Sequence, residues 1–189
     1  MVNRTAGREG GTAGPEELAA RARRILQLVK DPEVPVLSIV ELGIVREVRA
    51  EPEAGRVTVT ITPTYSGCPA MHTIEEDITA ALTGAGFREV KIETVYAPAW
   101  TTDWITEPAR EKLRAFGIAP PGIVQLETSS RRDAEAPSET ARRRDAETVP
   151  CPLCGSSETG LVSEFGATAC KSLHVCRSCR QPFERFKPF

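Results

Sequence analysis

The chain has 189 residues, of which 40% are hydrophobic and 26% charged, and its formal net charge is −2, the composition of a soluble domain or a domain plus a small module. That charge balance calls for neither nucleic acid nor an anionic membrane as a partner, and no run of roughly 18 apolar residues is present to span a bilayer. The opening MVNRTAGREGGTAG has no apolar stretch of the kind a secretion signal needs, so the setting read from it is a reducing cytoplasm.

Residues 1–14 are Gly-rich and polar and read as a disordered lead. A first helix is expected over PEELAARARRILQLVK, with Pro15 in the first turn, Glu16 and Glu17 at the positive end of the dipole, and Leu18, Ala22, Ile25, Leu26 and Val29 on one stripe. Asp31 precedes Pro32 and should end it, and the two prolines of DPEVPVLSIVELG predict an extended, rigid loop. IVREVRAE and RVTVTITP then read as two strands joined by a PEAG turn, with Val57, Val59 and Ile61 on one face and Thr58, Thr60 and Thr62 on the other.

A second helix is expected from about Pro69 to Thr83, a third strand at REVKIETVY, and a third helix at ITEPAREKLRAFGI. Thr106 is the expected N-cap of that last helix, Ala109, Leu113 and Phe116 its buried face, and Gly117 its stop. The order αββαβα predicts an α+β domain over residues 15–126, with helices packed on a three-stranded sheet.

From 127 to 148 apolar residues almost vanish; TSSRRDAEAPSETARRRDAE sets five Arg against five acids and reads as a flexible linker. Beyond it, residues 149–189 hold two C-x2-C pairs, Cys151 with Cys154 and Cys176 with Cys179. Each pair can aim two thiolates at one point, and two such knuckles complete a tetrahedral site in a module too short to rely on its core alone. Zinc is the expected ion, though iron or an iron–sulfur cluster accepts the same four ligands. Five Lys or Arg and three acids lie from Val149 onward, so four thiolates with one zinc ion bring the ribbon close to neutral. That balance suits a docking or structural ribbon better than a nucleic-acid finger. Cys170 reads as a small buried strand residue ahead of a substitute ligand or a residue lining a cluster, His174 as a surface histidine ahead of a replacement for a thiolate, and Phe189 as the ring free to reach a partner.

Cys68 stands apart, in TPTYSGCPAMHT. Pro69 suits the first helical position, which sets Cys68 at or beside a helix N-terminus, where the dipole is expected to lower a thiol pKa. His72 follows one turn later as a candidate metal ligand or proton acceptor, with a solvent-facing histidine as the plainer reading.

DPEVPVLSIVELGIV, VTVTITPTYSGCPAM and APAWTTDWIT with AREKLRAFGI resemble the metal–sulfur cluster biosynthesis family of small α/β domains. With CPLCGSS, SEFGATACKSL and CRSCRQPFERFK added, the arrangement resembles the D-subunit family of bacterial phenylacetyl-CoA epoxidase (ring-1,2-oxygenase) systems. The resemblance implies a non-catalytic accessory or maturation role in phenylacetate catabolism, assisting iron or iron–sulfur centre assembly. Its implied partners are the other oxygenase subunits or their reductase; a general iron–sulfur carrier serving several clients is the alternative. It assigns the family's acidic loop to Asp31 and Glu33, its cysteine to Cys68 as contact for a transient iron or iron–sulfur cluster, and its zinc ligands to Cys151, Cys154, Cys176 and Cys179.

Overall fold

The computed structural model describes residues 13–122 and 149–189; most of the expected lead and the whole of the expected linker lie outside the described residues. The fold is α+β. Helix α1 (Pro15–Leu26) is followed by β1 (Val45–Glu51), β2 (Arg56–Ile61), α2 (Ala70–Gly84), β3 (Glu89–Thr94), a 3-10 turn (Thr102–Trp104), α3 (Glu107–Phe116) and β4 (Ile118–Ala119). The ribbon adds β5 (Thr159–Ser163), β6 (Lys171–Cys176) and β7 (Pro182–Phe186).

The first sheet has the order β1-β2-β3. β1 and β2 form an antiparallel hairpin through a turn in which Gly55 takes φ +63°, and β2 then pairs parallel with β3 after the α2 crossover. β2 is therefore central, and Thr58 and Thr60 on its second face are buried along with Val57, Val59 and Ile61. Helices α1 and α2 bring Ala22, Leu26, Ile74, Ile78 and Leu82 into the same core.

Three local expectations are corrected. Helix α1 ends at Leu26, four residues before the expected stop, and the chain turns at Gln27. The DPEVPVLSIVELG segment is a succession of turns and not an extended loop: Asp31 Oδ1 accepts from the Glu33 and Val34 amides, both at 2.8 Å. Those turns drive Val34, Leu37, Ile39 and Leu42 into the core, which supplies the reason for the compaction. Phe116 is mostly exposed, because α3 buries only Ala109 and Leu113 before Gly117 (φ +89°) ends it; Thr106 caps it as expected, accepting from the Ala109 amide.

The second sheet has the order β4-β7-β6-β5, so a strand that follows α3 pairs in parallel with the last strand of the ribbon. Apolar contact continues across this junction. Phe186 and Cys170 belong to the same buried cluster as Trp100 and Ile118, and Phe189 sets its ring edge-on to Trp100 at 6.0 Å. The Phe189 carbonyl accepts from the Thr101 hydroxyl at 2.9 Å, which turns the expected free ring back onto the N-terminal domain.

Candidate functional site

The ribbon site is built by two tight turns. In Cys151–Cys154 the Gly155 amide donates to the Cys151 carbonyl and Gly155 takes φ +75°; in Cys176–Cys179 the turn closes with Arg180 at φ +62°. All four Sγ atoms lie within 4.8 Å of one another, with Cys154–Cys176 at 3.6 Å and Cys151–Cys179 at 3.8 Å. A tetrahedron of about 2.3 Å metal–sulfur bonds has edges of about 3.8 Å, so the quartet fits a metal ion. The Cys179 amide donates to Cys176 Sγ and helps draw that thiol down to about 7. Against the amide of Ser156, desolvation and the three neighbouring thiols push Cys154 up to about 12. The donor set thus needs a cation to hold all four sulfurs as thiolates.

His174 does not join this quartet and is not at the surface. It is buried on β6, the strand between β5 and β7, stacks on Phe183 at 5.5 Å and shares a 3.0 Å hydrogen bond with Ser172.

The second thiol centre lies where three segments meet. Cys68 precedes α2, half-buried, with its sulfur accepting from the Ala70 amide and facing the Thr64 hydroxyl. The helix terminus does what its dipole requires, but burial outweighs it, and the carboxylates of Glu33 and Asp31 add to burial, so the Cys68 pKa is raised and not lowered. The expectation of an activated thiolate is overturned by burial; the charges that add to it come from a loop about 35 residues earlier in the sequence, at Asp31-Pro-Glu33. Burial likewise raises both carboxyls; the Val34 and Glu33 amides and Lys171 act against it at Asp31, while the charge of Asp31 raises Glu33 further and Lys171 opposes that.

His72 is turned to solvent, 3.4 Å from Glu76 on the next turn of α2, and is not among the groups acting on Cys68. Cys170, read from sequence as a strand residue, sits in the turn before β6, buried to 3% exposure. Its Sγ is 3.1 Å from the Thr168 hydroxyl and 3.9 Å from Glu33 Oε2. Lys171 beside it is buried against Glu184 at 2.7 Å and reaches the Glu33 carbonyl at 3.5 Å, tying this turn to the acidic loop. Tyr65 feels both thiols: desolvation and the fields of Cys68, Glu33 and Cys170 push its hydroxyl to about 12. Lys171 and Tyr65 carry no sequence signal at this centre; Cys170 has one, as the surplus sixth cysteine able to line a cluster, but the small buried strand residue is the reading the sequence favours.

Comparison with known proteins follows the same two-part division. Residues 19–94 match the family model described as iron-sulfur cluster assembly protein, and residues 135–187 match the PaaD zinc beta ribbon domain. An Escherichia coli (strain K12) protein named as the D subunit of a 1,2-phenylacetyl-CoA epoxidase is 45% identical over 86% of this chain and 88% of its own. A Porphyromonas gingivalis protein named Fe-S protein maturation auxiliary factor is 37% identical over 48% of this chain and 85% of its own. In three dimensions, the crystal structure of a domain of unknown function, DUF59, from Bacillus anthracis matches 52% of this chain and 93% of that one at 29% identity and a TM-score of 0.50. The small domain thus occurs alone in some relatives, while the match that runs through both thiol centres is to an epoxidase subunit, and the chain belongs to the PaaD family of phenylacetyl-CoA epoxidase subunits.

Proposed function

We propose that this chain is the accessory, maturation subunit of a phenylacetyl-CoA epoxidase, and that it assists assembly of an iron or iron–sulfur centre in another subunit or in the reductase. Cys68, with Asp31 and Glu33, is the transient contact for the metal cargo. The four-cysteine ribbon holds zinc and serves docking, and residues 15–126 and 149–189 act as its two working units on either side of a linker at 127–148. The observation that carries the reading is the half-buried thiol of Cys68 set against two carboxylates, in a domain whose sequence matches an iron–sulfur assembly family. One thiol and two carboxyls, each holding its proton more firmly than usual, suit a site that releases protons when a cation arrives and takes them back when it leaves.

The general-carrier reading draws on the matches to stand-alone maturation factors. The fused ribbon, shared with the epoxidase relative, favours the dedicated role. The test is to produce the oxygenase and reductase in cells with and without this chain, and to measure their iron, acid-labile sulfide and epoxidation. Full metal and equal turnover in both preparations would end the maturation reading, and defects in unrelated iron–sulfur enzymes would favour the general carrier.

A further inference from the structure

Strand β3 is an edge of the first sheet, and no further strand pairs with it among the described residues. The amides of Glu89 and of Val95, just past the strand, donate inward to the Gly55 and Ile61 carbonyls. Main-chain groups alternate along a strand, so those of Val90, Ile92 and Thr94 point to the open edge. The side chains of Val90 and Ile92 lie in register with Val57 and Val59 on the core face, and both are only partly buried. Beside them runs α2. A shallow groove lies between the edge and this helix, with Val90 and Ile92 along one side and Glu75, Glu76 and Thr79 along the other. Glu75 accepts from the Thr94 hydroxyl at 3.3 Å and Glu76 stands 3.4 Å from His72; no lysine or arginine lines the groove.

An open edge normally carries charges that ward off other strands. Those of β3 are tied up on the opposite face of the sheet: Glu89 pairs with Arg56 at 2.8 Å, and Glu93 with Lys91 at 2.7 Å and Arg49 at 3.3 Å. The groove side is left with apolar surface, outward main-chain groups and two acids of one sign. We propose that the β3 edge and its acidic groove are a docking surface for an extended segment of another protein, one with Lys or Arg at alternate positions. The added strand would take its main-chain bonds from Val90, Ile92 and Thr94. Its basic side chains would lay their stems over Val90 and Ile92 and set their charges at Glu75 and Glu76. A second copy of this chain fits poorly, because pairing β3 with β3 brings one acidic stripe against another. The inference goes beyond the maturation reading and does not depend on what Cys68 carries.

The experiment uses the full chain, its ribbon filled with zinc, and as probe a blocked peptide of about eight residues alternating Lys and Val. On binding, the amide signals of Val90, Ile92 and Thr94 should shift and their exchange should slow at least about tenfold. Affinity should fall as salt rises, and a peptide alternating Glu and Val should not bind. Glu75→Lys combined with Glu76→Lys, at two positions that are not buried, should keep the fold and weaken binding at least about tenfold. Of two peptides N-methylated at either the Lys or the Val amides, one should lose binding and the other keep it, because only one set faces the edge. No binding at about 1 mM peptide, binding unchanged by the double reversal, or shifts that map away from β3 would each overturn the proposal. A dimer of this chain paired through β3 would overturn it in favour of a second copy. Cys68→Ala should bind the peptide as the wild type does, so this result and that of the maturation test are read separately.

Discussion

The indole of Trp100 packs against the ring of Phe186, centroids 5.9 Å apart and tilted by 46°, while its Nε1–H donates to the Leu42 carbonyl at 2.9 Å. One side chain thus ties the acidic-loop segment, the loop before α3 and the last strand of the ribbon. Both rings are almost fully buried. Trp100→Ala should cost about 3–5 kcal/mol, and Phe186→Ala a similar amount, with the losses less than additive because the two share one contact. Urea unfolding of the single and double variants measures this; additive losses would show that the rings are energetically separate.

Removing the metal from the ribbon should be felt beyond it. Cys176→Ser breaks the quartet and should release about one metal ion per chain, loosening β5, β6 and β7. Because Phe186 and Cys170 are part of the N-terminal core, amide exchange in the turns of residues 31–43 and near Trp100 should also rise, while β1–β3 stays protected. Elemental analysis and hydrogen exchange on the same sample test both halves. A well-folded wild type without metal would refute the tetrathiolate site.

Most of the N-terminal architecture was legible from sequence, since it rests on local signals. The Thr106 cap, the Gly117 stop, the PEAG turn and the apolar stripe of α1 each sit within a few residues of what they control. What escaped was set by distant parts of the chain. Alternation in RVTVTITP predicts a half-exposed strand, but pairing with β1 on one edge and β3 on the other makes it central and buries Thr58 and Thr60. The four ribbon ligands announce themselves by spacing. Cys170 and His174 have no local pattern, and only the pairing of β6 with β5 and β7, and the contact of its preceding turn with Glu33, gives them their surroundings.

The pKa of Cys68 has a kinetic consequence. The thiol is raised by burial and by two carboxylates, so less of it is thiolate at neutral pH than in an ordinary exposed cysteine. In zinc-filled protein Cys68 should therefore alkylate more slowly than a free thiol in a model peptide, and the rate should climb as pH rises through the raised pKa. Glu33→Gln should speed the reaction by removing one opposing charge. Mass spectrometry of limited alkylation over a pH series decides it; faster labelling than the peptide would restore the helix-terminus effect as dominant.

Asp31 gives a stability effect whose sign follows from its burial. Its folded pKa is raised above 3.8, so the native state binds this proton more readily than the unfolded chain does. Ionised Asp31 therefore costs stability at neutral pH, and the cost fades as pH falls through the folded pKa toward 3.8. Asp31→Asn keeps an Oδ1 acceptor for the Glu33 and Val34 amides and removes the charge. At about pH 7 the variant should be at least as stable as the parent, and its advantage should shrink on acidification. Urea unfolding at several pH values reads this directly. A less stable variant at neutral pH would mean that the attraction of Lys171 outweighs desolvation.

The last expectation joins the site to the role. Cys68 lies outside α2, with Pro69 at the N-cap, so Cys68→Ala removes a sulfur that accepts one amide hydrogen bond, a loss of about 1 kcal/mol that should leave the chain folded. Oxygenase subunits made beside this variant should accumulate at normal levels with epoxidation reduced by about tenfold or more. Their iron, or the cluster content of the reductase, should fall in parallel. His72→Ala is the matched control: it removes a solvent-facing ring paired with Glu76 and should leave metal content and turnover unchanged. Adding purified wild-type chain to already metallated partners should not raise activity further, because the chain acts before turnover. Activity that returned only on such addition would instead identify a structural component of the working complex, with Cys68 needed for contact and not for metal.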